Sequence, residues 1–588
     1  MYRAPLKDLY FVLNELLGAQ PLAGCAAHAE YSADLAESVL SESARFAEEV
    51  LEPINRSGDQ EGAHWSEQGV RSAKGFREAY RQFVEGGWPQ LRAPAHIGGQ
   101  GAPLMLATAA QETWASANLA FKLCPMLTYG AIHALELTAS PALKERFLPR
   151  MVTGEWTGTM VLTEPHAGSD LAMIRTHATP PPAAERSDGA YRLFGQKIFI
   201  TWGEHDFTDN IVHMVLARID GAPEGVRGIS LFVVPKFLVG ADGTPGARND
   251  LRCVSIEHKL GIHASPTCVM AFGERDGALG YLVGEANRGL EYMFIMMNAA
   301  RLAVGLEGYA VAERAFQQAA DYARSRVQGR KLIIQHPDVK RMLLEMKAGT
   351  EAMRALTLYT AWQLDIAESH ADPGIRARAQ ARGDLLIPIV KGWSTEFGVE
   401  LASTGIQVHG GTGFIEETGA AQWLRDVRIT AIYEGTTGIQ ANDLLGRKLL
   451  RDQGAAMRSL LDEIAHELSD KGPSGPVQAL RAEALGAVTQ LRETTATLLK
   501  LAGEDPERAL AVIEPYLMLC GFVLGGWLMA RAAQLVSGGG SASGREFAAA
   551  KVATARAYVG QLLPRALAYR QIVMHGSACV AGVDAGLI

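Results

Sequence analysis

Three stretches of this sequence carry residue types and spacings that can do chemistry. In QVHGGTGFIEETG (407–419) and IYEGTTGIQANDLLGRK (432–448), Gly410, Gly411 and Gly413 permit a ligand to approach the backbone closely, and a lone carboxylate, Glu434, stands between Tyr433 and Gly435. By itself Glu434 equally suits a cap on the helix that would begin near Thr436 and Thr437, where the positive end of the dipole favours an anion. In VLTEPHAGSD (161–170), Thr163, Gly168 and Ser169 follow a strand-like run into a turn, where hydroxyls and free N–H groups can hold a polar ring edge or a phosphate. Ser169 and Asp170 as simple turn caps explain the same residues. In KIFITWG (197–203), two-residue alternation puts Phe199 and Thr201 on one strand face. That offers a flat apolar surface beside a hydroxyl, which suits a planar heteroaromatic ring as well as it suits an ordinary core Phe.

Familiar local signatures are missing. The sequence holds no GxGxxG, no P-loop, no HExxH and no GxSxG. Its six cysteines are dispersed without the close pairs of zinc or redox sites and are expected to be reduced core thiols. A net charge of −8 argues against general attraction to nucleic-acid phosphates, so no nucleic-acid partner is expected. With 48% hydrophobic and 20% charged residues in 588, most of the chain should fold, in several domains.

The elements that would position these stretches follow from periodicity. Residues 1–158 are expected to be helical, as in ESVLSESARFAEEVLEPI and GFREAYRQFVEGGW, with a loop where Pro89, Pro94 and Gly98, Gly99 and Gly101 break the pattern. Over 159–282, short runs such as YRLFGQKIFIT, NIVHMVLARI and GISLFVVP between Gly, Asp and Pro turns indicate a compact β domain. Helical periodicity returns over 283–450 in segments long enough for a bundle, and a further helical domain is expected over 451–588, with SGGGSASG (537–544) as a flexible linker. YLMLCGFVLGGWLMA (516–530) is too short for a bilayer and is expected to be a buried helix, so no transmembrane segment is anticipated. MYRAPLKDLYFVLNELLG has charges throughout its apolar pattern and no signal-type run, which points to the cytoplasm.

In this order and on this domain texture, the loop GGWPQLRAPAHIGGQG, the TEPHAGSD turn, the GQKIFIT strand, Arg326 and Gln328 in SRVQGR, QVHGGTGF and IYEGT resemble the acyl-CoA dehydrogenase family over residues 50 to 448. The opening YRAPLKDLYFVLNELL, the GTTGIQANDLLGRK segment and the C-terminal extension are similar to the subgroup that contains 3-methylmercaptopropionyl-CoA dehydrogenases. The resemblance implies an α+β fold: an N-terminal helical domain, a central β-barrel-like domain, a C-terminal four-helix bundle and, here, an additional C-terminal helical domain. It implies FAD as cofactor. Met160, Leu162, Thr163, Gly168, Ser169, Phe199 and Thr201 match positions that touch flavin and pyrophosphate, and Thr436 one beside the cofactor. Arg326 and Gln328 match an arm reaching the FAD of a neighbouring subunit, and Gln407, Gly410 and Gly411 the adenosine-diphosphate side. Ser169, Arg301, Tyr433 and Glu434 match positions near substrate. Phe199 replaces the Trp of many relatives, and Gly438 stands where several have a Gln that contacts the cofactor.

The implied reaction is α,β-dehydrogenation of an acyl-CoA thioester to the trans-2-enoyl-CoA, with Glu434 taking the α-proton and the flavin the β-hydride. Such a proton is a very weak acid, so the carboxylate needs a polarised thioester carbonyl to work on. Electron-transferring flavoprotein is the implied electron acceptor and a homodimer the implied assembly. 3-Methylmercaptopropionyl-CoA is the substrate suggested by the subgroup. Alternatives are a medium- or long-chain fatty acyl-CoA dehydrogenase of β-oxidation, an acyl-CoA oxidase, and a catalytically silent DNA-binding relative. The extension's equal numbers of acidic and basic residues weigh against the last.

Overall fold

A computed structural model describes residues 1–18, 20–182, 189–240, 242–470, 475–538 and 544–588. Most of the expected linker, 537–544, lies outside the described residues. The chain forms two compact units, one of residues 45–102 and 117–300, the other of residues 1–44, 103–116 and 301–588. The expected N-terminal domain, 1–158, is therefore shared between them.

The first unit is built on eight strands: β1 (Trp156–Val161), β2 (His177–Thr179), β3 (Ala190–Thr201), β4 (Asn210–Ile219), β5 (Ile229–Pro235), β6 (Leu251–Ile256), β7 (Thr267–Phe272) and β8 (Ala278–Leu282). They pair in the order β6-β7-β3-β8-β5-β4-β1, and the short β2 joins β3 to β4. That bridge closes a ring of β3, β8, β5, β4 and β2, the barrel-like domain that the family resemblance implies. The 12-residue β3 serves two neighbours, β8 through Ala190–Leu193 and β7 through Gly195–Thr201. It can turn between them because Gly195 has φ of +153° and no side chain to collide with Thr176. Val161, Leu193, Ile200, Val215, Phe232 and Met270 fill the core. The first strand begins three residues earlier than expected and ends before Leu162, and a small hairpin, His64–Ser66 with Gly69–Arg71, interrupts the expected run of helices.

In the second unit, eight helices matter here: α1 (Leu6–Phe11), α2 (Leu104–Ala117, of which residues 104–116 belong to this unit), α3 (Gly289–Ser325, from Arg301 on), α4 (Pro337–Ser369), α5 (Pro373–His409), α6 (Thr437–Asp443), α7 (Ile513–Ser537) and α8 (Arg545–Ala557). The long α3, α4 and α5 with the shorter α6 make the bundle. α3 and α5 meet backbone to backbone: a Cβ on Gly308 would lie 2.3 Å from the Ser394 carbonyl oxygen, and one on Gly398 2.3 Å from that of Gly308. The apolar stretch 516–530 lies within the 25-residue α7, which, contrary to the expectation from its length, is long and apolar enough to cross a membrane; its most apolar window is instead 89% buried inside the protein. It packs on α4, α5 and α6, and a Cβ on Gly521 would fall 2.1 Å from Trp393 Cγ. Five cysteines are buried as expected, but Cys579, in the short turn of helix Ser577–Cys579 near the C-terminus, is exposed.

A buried ion cluster ties the ends of the chain to this bundle. The Arg354 guanidinium on α4 reaches Asp8 of α1 at 2.6 Å, Glu112 of α2 at 2.6 Å and Glu313 of α3 at 2.9 Å. Lys551 of α8 pairs with Asp8 and, at 2.5 Å, with Glu351 of α4. Removing one partner from such a buried set leaves uncompensated charge, at a cost of about 3–5 kcal/mol. Lys551→Met is therefore expected to lower the thermal unfolding midpoint clearly, as calorimetry would show. An unchanged midpoint would mean that the last domain is not anchored through this lysine.

Candidate active site

The carboxylate singled out by the sequence sits in strained backbone. Glu434 has φ of +56° and Gly435 φ of +89°, two successive left-handed residues. For a non-glycine residue this conformation costs about 1–3 kcal/mol and persists only where its surroundings hold it. Here they do. Lys391 Nζ of α5 donates to the Gly435 carbonyl oxygen at 2.7 Å, and the buried Gln440 amide of α6 donates to the carbonyl oxygens of Glu434 at 3.0 Å and Gly435 at 3.2 Å. Glu434 does not cap α6. That role belongs to Thr436, whose hydroxyl accepts the Ile439 N–H at 3.3 Å. Thr437 donates its hydroxyl to Glu396 at 2.5 Å, and the Tyr433 hydroxyl to the buried Glu307 of α3.

The electrostatics suit a base. Burial pushes the Glu434 carboxyl up to about 7, with nearby Arg301 and Lys391 pulling it back and Glu307 adding to the rise. Arg301, expected beside the substrate, is buried and pairs with Asp443 at 3.0 Å. Burial takes Lys391 down to about 7, against the pull of Glu434 and Glu396. Lys391, Glu307, Gln440 and Asp443 were not singled out from sequence, although a single lysine inside the apolar run LLIPIVKGW (385–393) was a visible signal.

The candidate flavin contacts on the β unit are arranged by a second buried charge. Lys197 Nζ of β3 donates to the Leu162 carbonyl at 2.8 Å and to Glu164 at 2.9 Å, while Glu164 accepts the backbone N–H groups of Arg175 at 2.7 Å and Thr176 at 3.0 Å. Burial brings Lys197 down to about 8 despite Glu164. The Ile198 N–H donates to the Thr163 carbonyl at 2.9 Å, so the turn after β1 is fastened to β3 along Leu162, Thr163 and Glu164. Beside that junction β3 bulges: Ile198 and Phe199 together face Val269 of β7. Phe199 takes φ of +60° there and is 58% exposed, while Thr201 is half-buried and Met160 buried. Gly168 and Ser169 are exposed in the turn, and Asp170, not Ser169, caps the following residues by accepting the Ala172 N–H at 3.0 Å. An aromatic face held in solvent on a left-handed backbone, with hydroxyls and a turn beside it, fits a flat heteroaromatic ring with a diphosphate tail.

The remaining predicted residues are all exposed on the helical unit. Arg326 and Gln328 belong to a tight hairpin whose Gly329 and Arg330 both have positive φ. Gln407, Gly410 and Gly411 close α5, and a side chain on either glycine would meet open space.

Four family models match in chain order: acyl-CoA dehydrogenase N-terminal domain at residues 34–155, middle domain at 159–274, C-terminal domain at 287–449, and an acetyl-CoA dehydrogenase C-terminal-like region at 460–584. A 3-methylmercaptopropionyl-CoA dehydrogenase of Ruegeria pomeroyi is 50% identical over 96% of this chain and 96% of its own. The chain belongs to the acyl-CoA dehydrogenase family. A broad-specificity linear acyl-CoA dehydrogenase of Mycobacterium tuberculosis is 33% identical over 97% of both chains. Among solved structures, a Caenorhabditis elegans protein in complex with C11-CoA matches with a TM-score of 0.78 at 22% identity, over 98% of this chain and 96% of that one. A Bacillus anthracis acyl-CoA dehydrogenase complexed with FAD matches at 0.74 and 21%, over 95% and 90%. The α+β fold, the oxidoreductase class and FAD as cofactor expected from sequence are those of this family.

As an acyl-CoA dehydrogenase, the chain should be sensitive to any side chain at Gly435, where a Cβ would lie 2.7 Å from Gln440 Nε2 and the φ is left-handed. Gly435→Ala is expected to keep FAD but slow anaerobic flavin bleaching by an acyl-CoA about tenfold to a hundredfold, the equivalent of about 1–3 kcal/mol of misplacement. Stopped-flow absorbance measures it, and an undiminished rate would show that the turn tolerates rearrangement.

Proposed function

We propose that this acyl-CoA dehydrogenase oxidises a short-chain thioester, 3-methylmercaptopropionyl-CoA, to 3-methylthioacryloyl-CoA, with Glu434 as the base that removes the α-proton. The observation that carries the base assignment is a carboxylate held by strained backbone at a proton affinity matched to neutral pH. The substrate rests on the half-identical relative with that name, matched across nearly its whole length. Bound FAD would supply the hydride acceptor for the β-carbon. The chain's own tasks are to aim the carboxylate, to shield it from water, and to hold the flavin through Met160, Leu162, Thr163, Gly168, Ser169, Phe199 and Thr201, with Thr436 beside the cofactor. The Glu434 backbone N–H is the protein's donor to the thioester carbonyl, with Arg301 and Tyr433 on the substrate side of the helical unit; Ser169, on the β unit, is the other residue that the resemblance assigns to substrate.

Electron-transferring flavoprotein is the proposed acceptor and the cytoplasm the proposed location. A homodimer is supported by a surface that a monomer leaves wet: Phe414 is 82% exposed and Val327 53%, close in sequence to Gln407, Gly410, Gly411, Arg326 and Gln328. In the dimer Arg326 and Gln328 would reach the cofactor of the neighbouring subunit, and Gln407, Gly410 and Gly411 would lie on the adenosine-diphosphate side.

Anaerobic mixing with 3-methylmercaptopropionyl-, butyryl-, octanoyl- and palmitoyl-CoA tests the function. The thioether and butyryl thioesters are expected to bleach the flavin fastest, and Glu434→Gln to abolish bleaching while leaving bound FAD in place. Because a base must be ionised and Glu434 is raised to about 7, the bleaching rate should climb as pH rises through about 7. A preference for octanoyl- or palmitoyl-CoA would reject the short-chain substrate, and bleaching by the Gln variant would reject the base.

A further inference from the structure

Lys391 is a fully buried cation in a helix whose neighbouring positions are apolar. Leucine or methionine would fill its space without the desolvation that an ammonium entails, so its charge calls for a reason. Its hydrogen bond goes to the carbonyl of Gly435, the residue after the base. The charges that act on it are Glu434 on the turn, Glu396 on its own helix, and Arg301 and Glu307 on α3. Gln440 also donates to this turn, but as a neutral amide it supplies geometry without charge. Two residues along α5, Trp393 is wedged against Gly521 of α7, which fixes the helix that carries the lysine.

We propose that Lys391 is a positioning residue for the base: its ammonium pins the Gly435 carbonyl, which keeps Glu434 left-handed, and it sets a positive charge beside the carboxylate that takes the substrate proton. The proposal rests on Glu434 as base. Lysine differs from arginine here because its compact ammonium fits a single carbonyl and can lose its proton when buried, so the charge beside the base is itself adjustable. Glu434 and Lys391 then titrate as a pair, and the midpoints observed belong to the pair.

The test uses the full-length flavoprotein with Lys391→Met, which keeps volume and removes charge, and Lys391→Arg, which keeps charge at every accessible pH. Infrared difference spectra, each protein minus the same protein carrying Glu434→Gln, follow the carboxyl stretch as pH is varied, independently of turnover. The Met variant is expected to titrate Glu434 about one unit higher than wild type. Its flavin-bleaching rate should fall about fivefold near neutrality, the loss of ionised base that one unit implies, and recover in alkaline buffer, with KM for the thioester changed by less than about threefold. The Arg variant should titrate Glu434 no higher than wild type. An unchanged carboxyl midpoint in the Met variant overturns the proposal, whatever happens to thermal stability, and leaves Lys391 as a buried lysine satisfied by a carbonyl. If the Met variant does not fold, a midpoint above wild type in the Arg variant overturns it instead. A shifted midpoint in a protein whose flavin no thioester bleaches rejects Glu434 as base, and with it the positioning role, while bleaching without a shift rejects Lys391 alone.

Discussion

The guanidinium of Arg354 is the constraint on which the helical unit depends. A buried cation demands anions around it, and this one collects a carboxylate each from α1, α2 and α3. The anions in turn need more positive charge than one arginine provides, which brings in Lys551 from α8 near the other end of the sequence. Even so, burial keeps Glu112 up at about 7, against the pull of Arg354. Such a cluster contributes little net stability compared with a well-packed apolar core, but it tolerates few alternative arrangements. It fixes which helices meet and at what register, and it explains why the first forty residues and residues 103–116 group with the bundle and not with the neighbouring residues in sequence.

Register matters because α3 carries both the cluster and part of the site. Glu313 lies twelve residues from Arg301 and six from Glu307, about 18 and 9 Å along the helix axis. With α3 locked at Glu313, and pressed to α5 at Gly308 and Gly398, the Arg301, Glu307 and Lys391 side chains near Glu434 have fixed origins on two rigid rods. A loop placed between such rods can be held in a costly conformation, and the Glu434–Gly435 turn is. The strain of about 1–3 kcal/mol is offset by a charge-assisted hydrogen bond from Lys391 and two more from Gln440. Opposed effects also decide the basicity: burial raises the carboxyl, the cations restrain it, and the balance falls near neutrality.

What could be read from the sequence was what depends on local pattern. Strand alternation marked β3 with Thr201 at its end, glycines marked the turns at 410 and 435, and Glu434 stands out between Tyr433 and Gly435. The bulge that turns Phe199 outward could not be read, because it comes from the pairing of β3 with β7 some seventy residues away. The hairpin at His64–Arg71 has mostly exposed residues and so lacks the apolar alternation that betrays a strand. Arg354, Glu112 and Lys551 look like the solvated faces of amphipathic helices until their partners, up to hundreds of positions distant, are brought together. Lys391 is the intermediate case: its oddity was local, but its meaning lay with Gly435.

The extension after residue 450 takes part in the same argument. Glycine inside a helix costs about 1 kcal/mol relative to alanine, yet α7 has Gly521 and Gly525 where Trp393 presses in, and at Gly525 the hydroxyl of Tyr558 as well. Such residues pay off only if the partner is permanent. Trp393 is fully buried and two residues from Lys391, and Glu514 of α7 lies close enough to Glu396 for the two carboxylates to repel, while Glu396 holds the Thr437 hydroxyl at the start of α6. α7 thus holds α5 through Trp393, two residues along the helix from Lys391 and on a different face of it. An apolar helix that resembles a membrane span by length and composition is, in this fold, the floor on which the helix bearing Lys391 rests, and the glycines that weaken it as a helix are what allow it to lie so close.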